Sequence, residues 1–200
     1  IDRSRGLGDV YKRQLFNVYS FFSLYANLDS YVFDEKSTSK ELQEIDCWII
    51  SKLNSLSKDV NLAFENYEPT KAGRLIQKFV VDDLSNWYVR LCRKRFWKGE
   101  LNEDKKAAYD TLYLCLKNIS LLMSPIAPFY SDRLFKDLTG GNNSVHLSYF
   151  PESIVGLINA DLEHKMDLSQ RISSLVLSIR KKEKLKVCLL YTSDAADDRV

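Results

Sequence analysis

The chain has 200 residues, 45% of them apolar, with 29 Lys and Arg against 27 Asp and Glu for a net charge of +2. That is enough apolar material for one or two packed domains, and it contains no run of roughly 18 apolar residues to cross a membrane. The near balance of charge gives no general attraction for polyanions, so any hold on nucleic acid must come from local clustering.

Helix formers dominate, and Gly and Pro are scarce at 7 and 4, which predicts an all-α chain. The ends stand apart. Ile1–Gln14 (IDRSRGLGDVYKRQ) and Cys188–Val200 (CLLYTSDAADDRV) carry no periodicity that continues into their neighbours. Both resemble translated ends of a transposon-type library adapter, so residues 1–14 and 188–200 are expected to be non-native and are set aside. Leu15–Asn27 reads as an aromatic amphipathic helix, with Leu15, Val18 or Tyr19, Phe22 and Tyr25 on one face. Leu28–Ser39 is polar and irregular. Residues 15–40 are thus expected to be a connecting helix and linker, the helix leaning on a preceding domain.

Ser39 suits an N-cap, with Gln43 or Glu41 nearby. The helix it opens is predicted over Glu41–Asn66, with Leu42, Ile45, Ile49, Leu53, Leu56, Val60, Ala63 and Tyr67 in one row and Trp48 flanking it. Pro69 fits the first turn of the next helix, Pro69–Trp97, and Gly99 its stop. A third helix is predicted over Asp104–Met123, with Ala108, Leu112, Cys115, Ile119 and Leu122 inward. Pro125 and Pro128 break it, and Pro128 opens a fourth through Leu138, closed by Gly140-Gly141. Short links make consecutive helices antiparallel, so residues 41–142 read as an up-down bundle. Residues 143–187 follow as an extended piece (Ser144–Pro151), able to lie along a neighbouring domain, and a C-terminal helix over Asp161–Lys184. That helix has Leu162, Met166, Ile172, Val176 and Ile179 on one side. Its basic end, Arg180 to Lys186, suits a helix C-terminal dipole or an RNA contact. Cys47, Cys92 and Cys115 fall in helical apolar patterns and are expected as reduced core residues of a cytosolic protein.

Phe79–Lys98 (FVVDDLSNWYVRLCRKRFWK) carries the strongest signal. At 3.6 residues per turn, Val80, Leu84, Trp87 and Leu91 form a row to bury. Asn86, Arg90, Arg93 and Trp97 form a second, basic row. Arg90, Arg93, Lys94, Arg95 and Lys98 put five cations into nine residues, with no acid between them to pair along the helix. A solvated charged face is the plain alternative. Trp97 among the cations favours a phosphate-rich partner with exposed bases.

Catalysis finds no constellation. His146 and His164 are too far apart for a local zinc pair, and each is expected to be structural. Asp82 and Asp83 are adjacent on a helix, point about 100° apart, and are expected to serve at the N-terminal side of the basic run or to meet Arg74 or Lys78. There is no phosphate loop, nucleophile elbow or metal signature.

The order of Asp46-Cys47-Trp48-Ile49, Tyr67-Glu68-Pro69-Thr70-Lys71-Ala72-Gly73-Arg74, Asp82-Asp83-Leu84-Ser85-Asn86-Trp87-Tyr88-Val89-Arg90, Arg93-Lys94-Arg95-Phe96-Trp97 and Met123-Ser124-Pro125-Ile126-Ala127-Pro128 resembles the anticodon-binding helical domain of class I aminoacyl-tRNA synthetases, the isoleucyl-tRNA synthetases above all. The resemblance spans Leu15–Val187; the DDLSNWYVR and RKRFW blocks are its specific part. Cys47 departs from the usual Arg, and Ile126-Ala127 from Phe-Thr. The resemblance implies part of a cytoplasmic ligase that joins isoleucine to its tRNA. Its partners would be an isoleucine-accepting tRNA and the catalytic domain of the same chain. ATP and magnesium, with zinc left open, belong to the full-length enzyme; no catalytic residue or metal ligand falls in this segment. Asn86, Arg90, Arg93, Lys94, Arg95, Trp97 and Lys98 would take the RNA. A valyl- or leucyl-type domain, or a structural bundle whose basic face packs on another domain, are the alternatives.

Overall fold

Pro69 and Pro128 each occupy the first turn of a helix, where the missing N–H costs nothing. Asn102 opens another by accepting the Lys105 N–H at 2.8 Å, and Gly140 closes one in the left-handed conformation at φ 62°. The computed structural model describes residues 7–34, 42–97, 99–141 and 143–185. In order these form α1 (Leu7–Leu28), α2 (Glu44–Glu65), α3 (Pro69–Lys78), a π-helical segment (Phe79–Val89), α4 (Arg90–Trp97), α5 (Glu103–Leu122), α6 (Pro128–Thr139) and α7 (Ala160–Lys182), with 3-10 turns at Val145–Leu147 and Val155–Leu157. No strand occurs among the described residues, and the all-α expectation holds. The chain divides into two units at Asn159–Ala160.

In the first unit α2 packs on α3, the π segment and α5, and α6 packs on α5. All five residues predicted to face inward on α5 are buried. On α2, Ile49, Leu53, Leu56, Val60 and Ala63 are buried, and Trp48, expected only to flank the row, is fully enclosed. Leu42 and Tyr67 lie outside the helix and are exposed. Ser39 lies outside the described residues. Gln43 is the N-cap, and its N–H donates to Asp46 Oδ2 at 3.0 Å.

One expectation at the front of the chain is corrected, that the first helix leans on a preceding domain. α1 continues unbroken through residues 7–14; nothing there stops a helix, and adding turns to an existing helix costs little. Its apolar face does not await another domain. Leu15, Val18, Phe22 and Ala26 are buried, and α1 packs on the π segment and α5. Phe21 meets Phe96 edge-on at 5.2 Å, and Phe22 meets Tyr109 at 6.2 Å. The start of the linker is tethered as well. Tyr31 stacks on Tyr109 at 4.7 Å and donates to Asp110. Asp29 accepts from the Tyr109 hydroxyl at 2.5 Å and pairs with the nearly buried Lys105 at 2.6 Å.

The piece after α6 runs along this same bundle. Asp132 accepts from the Ser144 hydroxyl and the Val145 N–H at 2.7 and 3.0 Å. The following chain is then stitched to α2: Asn61 donates to the Pro151 carbonyl at 2.9 Å, the Ile154 N–H to Asn54 Oδ1 at 2.9 Å, and the Asn159 N–H to Ser51 at 2.8 Å.

In the second unit α7 takes the predicted helical form, but Ile172, Val176 and Ile179 are exposed and only Leu162 of the predicted row is buried. Periodicity fixes the helix; it does not fix what covers it. Arg180, Lys181 and Lys182 occupy its last turn, the favourable end for cations.

Candidate nucleic-acid interface

The basic row sits on a rod that changes pitch. Phe79–Val89 is π-helical between two α-helical stretches, with hydrogen bonds reaching five residues back instead of four. This shifts which residues face in. Phe79, Leu84 and Val89 are buried at steps of five, and Tyr88, Cys92 and Phe96 at steps of four. The uniform α-helix of the sequence reading puts Leu91 inside; the wider turns rotate it out, 53% exposed. Trp87 is half-buried.

Asn86, Arg90, Arg93, Lys94 and Trp97 all lie on the outside. Arg90, Arg93, Lys94 and Trp97 are spaced by three and four on α4 and share one face. None of their side chains makes a hydrogen bond or ion pair with a described residue. The Trp97 indole is 54% exposed. Lys98 lies outside the described residues.

Arg95 departs from the expected ridge. Its guanidinium is turned inward, its side chain 11% exposed. It donates to Asp46 Oδ1 and Oδ2 at 2.8 and 2.9 Å, and to the Asp104 carboxylate and carbonyl at 2.8 and 2.9 Å. The acids that the local sequence lacks come from α2 and α5. Asp46, with no exposed surface, also accepts from the buried Tyr88 hydroxyl at 2.7 Å. Burial works to lower the Arg95 pKa, but Asp46 and then Asp104 outweigh it and raise it. Burial first, then the charge of Asp46, pushes the Tyr88 phenol up. Arg95 therefore holds the bundle together and is not available to phosphate. An aspartate one turn into α2, followed by a buried Trp, was the available signal for this anchor.

The neighbouring acids also resolve differently from expectation. Asp83 is buried and lies 3.9 Å from Lys52 of α2, not against Arg74 or Lys78, while Asp82 faces out. His146 and His164 are both exposed. Cys92 and Cys115 are buried as expected, but Cys47 is exposed. Burial pushes the Cys92 thiol up to about 11 against the pull of Arg95, and it raises Cys115 too. Thiolate is the reactive form, so brief treatment with iodoacetamide at neutral pH should modify Cys47 and spare Cys92 and Cys115. Peptide mass mapping checks this, and equal labelling of all three would contradict the burial.

Among the described residues no three His, Cys, Asp or Glu side chains converge as a metal site requires, and no helix is long and apolar enough to cross a membrane.

Comparison with known proteins agrees with this architecture. Residues 46–188 match the family model for the anticodon-binding domain of tRNA ligase. The chain is 56% identical to an isoleucine–tRNA ligase of Cytophaga hutchinsonii over 91% of its length and 17% of that protein's. It is 52% identical to the corresponding ligase of Bacteroides fragilis over 86% of the chain and 16% of the relative, and 51% identical to that of Porphyromonas gingivalis over 86% and 15%. The chain thus spans about a sixth of the curated relatives it matches. With a bundle of this order, an exposed basic face and a match across most of its length, the chain belongs to the anticodon-binding domain family of tRNA ligases.

Proposed function

We propose that this bundle seats the anticodon stem-loop of an isoleucine-accepting tRNA, as part of a ligase that joins isoleucine to that tRNA. One contrast carries the reading. On a single short helix Arg95 is neutralised by two acids from other helices, while Arg90, Arg93 and Lys94 face outward beside an exposed indole. A structural charged face would have its cations matched as Arg95 is.

Arg90, Arg93 and Lys94 take phosphates, which set position and register. Asn86, one turn earlier, reaches a base edge, where sequence is read. Trp97 stacks on an unpaired base or a ribose, worth about 1–3 kcal/mol per stacked base. In the whole ligase ATP and magnesium belong to the catalytic domain of the same chain, and this bundle's part is to hold the RNA in register.

The Arg90→Ala/Arg93→Ala variant of the full-length ligase should bind tRNA more weakly at every salt concentration. Its slope of log affinity against log salt should be shallower by roughly 1.5 units, at about 0.7–0.9 per lost phosphate contact. Filter binding across a salt series measures both. An unchanged slope would return the cations to the status of a solvated face.

A further inference from the structure

The row on α4 is one end of a longer feature. Along α3, Lys71, Arg74 and Lys78 are exposed, and Asp82, Asn86 and Arg90 continue the outward positions through the π segment into α4. In an uninterrupted α-helix, four residues overshoot a full turn by about 40°. The three steps of four from Lys78 to Arg90 would then carry the stripe about 120° around the rod. In the π segment the hydrogen bond spans five residues, so a turn holds more than four. Four residues there fall short of a turn, so the drift through the π segment runs opposite to that of the flanking α-helices. The eleven residues of Phe79–Val89 thus offset part of the drift along α3 and α4, and Arg74, Lys78, Arg90, Lys94 and Trp97 are all exposed. At about 1.5 Å per residue, Arg74 and Trp97 stand roughly 35 Å apart along the rod.

The far end has the same composition as the near one. Tyr67 is 92% exposed and borders a groove of about 580 Å³ with Lys71, Arg74 and Lys78. Its backbone is unusual. The Glu68 N–H bonds back to the Ala63 carbonyl and the Tyr67 N–H to the Phe64 carbonyl at 2.8 and 3.0 Å, the helix-ending motif that normally places Gly at the left-handed position. Tyr67 takes that position at φ 56°, at a cost of about 1–2 kcal/mol that Gly would avoid. A ring held in solvent at such a cost, beside unpaired cations, is out of place in a purely structural turn. Lys71 is partly satisfied by Glu68 at 2.9 Å. The Arg74 and Lys78 side chains make no ion pair or hydrogen bond with a described residue.

We propose that Tyr67, Arg74 and Lys78 form a second contact point for the same RNA, with Arg74 and Lys78 on phosphates and Tyr67 stacked on an exposed base. This rests on the α4 reading above and extends it. The RNA is gripped at two places along one ridge, with Asp82 between them as a stretch that phosphate avoids.

The test compares four variants of the full-length ligase in tRNA filter binding over a salt series. Arg74→Ala/Lys78→Ala should weaken binding at least several-fold and flatten the salt slope by roughly 1.5 units, while Arg74→Lys/Lys78→Arg keeps the slope. Tyr67→Gly should raise thermal stability, because it relieves the left-handed strain, and yet lower tRNA affinity about fivefold or more, the low end of a lost stack. Loss of affinity in a more stable protein cannot be put down to misfolding. If Arg74→Ala/Lys78→Ala and Tyr67→Gly both bind like wild type while Arg90→Ala/Arg93→Ala is impaired, the second contact is refuted and the α4 interface stands. If all three bind like wild type, both fall.

Discussion

Asp46→Ala should destabilise the bundle by about 3–5 kcal/mol, the usual loss when one partner of a buried ion pair is removed. Three groups lose their acceptor at once. The Arg95 guanidinium keeps only Asp104 and a weak 3.8 Å bond to the Cys92 sulfur, the buried Tyr88 hydroxyl loses its 2.7 Å partner, and the Gln43 N–H loses the carboxylate that starts α2. The loss comes mainly from stranding a buried charge and much less from the pair's own attraction. Asp46→Ala/Arg95→Met should therefore be more stable than Asp46→Ala alone, since it removes the stranded cation and keeps apolar volume. Urea denaturation of the three proteins measures both differences. A loss under about 1 kcal/mol for Asp46→Ala, the scale of a surface pair, would show that Arg95 is not held as described.

Trp48→Ala should cost a similar amount, about 3–5 kcal/mol, by opening a cavity in the packed centre of α2. Trp48 has no exposed surface, so the neighbouring helices can collapse only in part. Its Nε1 has no hydrogen-bond partner among the described residues, and a buried donor without one costs stability. Trp48→Phe, which keeps most of the ring, should hence lose clearly less than Trp48→Ala. Thermal or urea unfolding decides. Equal losses for Phe and Ala would mean that the indole N–H, and not the packing, is what matters.

The helices were legible because each carries a long periodic row and chemical stops: Pro69, Pro128 and Gly140 needed no tertiary context. The α5 core followed from the same local rules. The orientation of the central rod was not legible, because periodicity assumes a constant pitch and the π segment breaks it. Leu91 was assigned inward for that reason. Arg95 was grouped with its neighbours because local sequence shows only local partners, and Asp46 and Asp104 reach it from 49 and nine residues away. The tether of residues 151–159 to α2 is not legible because residues 151–159 offer only backbone N–H and carbonyl groups to the Asn61, Asn54 and Ser51 side chains, and backbone groups leave no mark in residue type.

Arg93 and Arg95 are separated by one residue, yet their freedom to vary differs sharply. A change at Arg93, or at Arg90 or Lys94, alters only what the outer face greets, and the helix remains seated because its anchor lies underneath. A change at Arg95 unseats the helix itself. On the function proposed above, a lineage can therefore re-address such a domain toward another nucleic acid by editing the outward positions one at a time, each intermediate still folded, provided the inward cation and its two acids stay put.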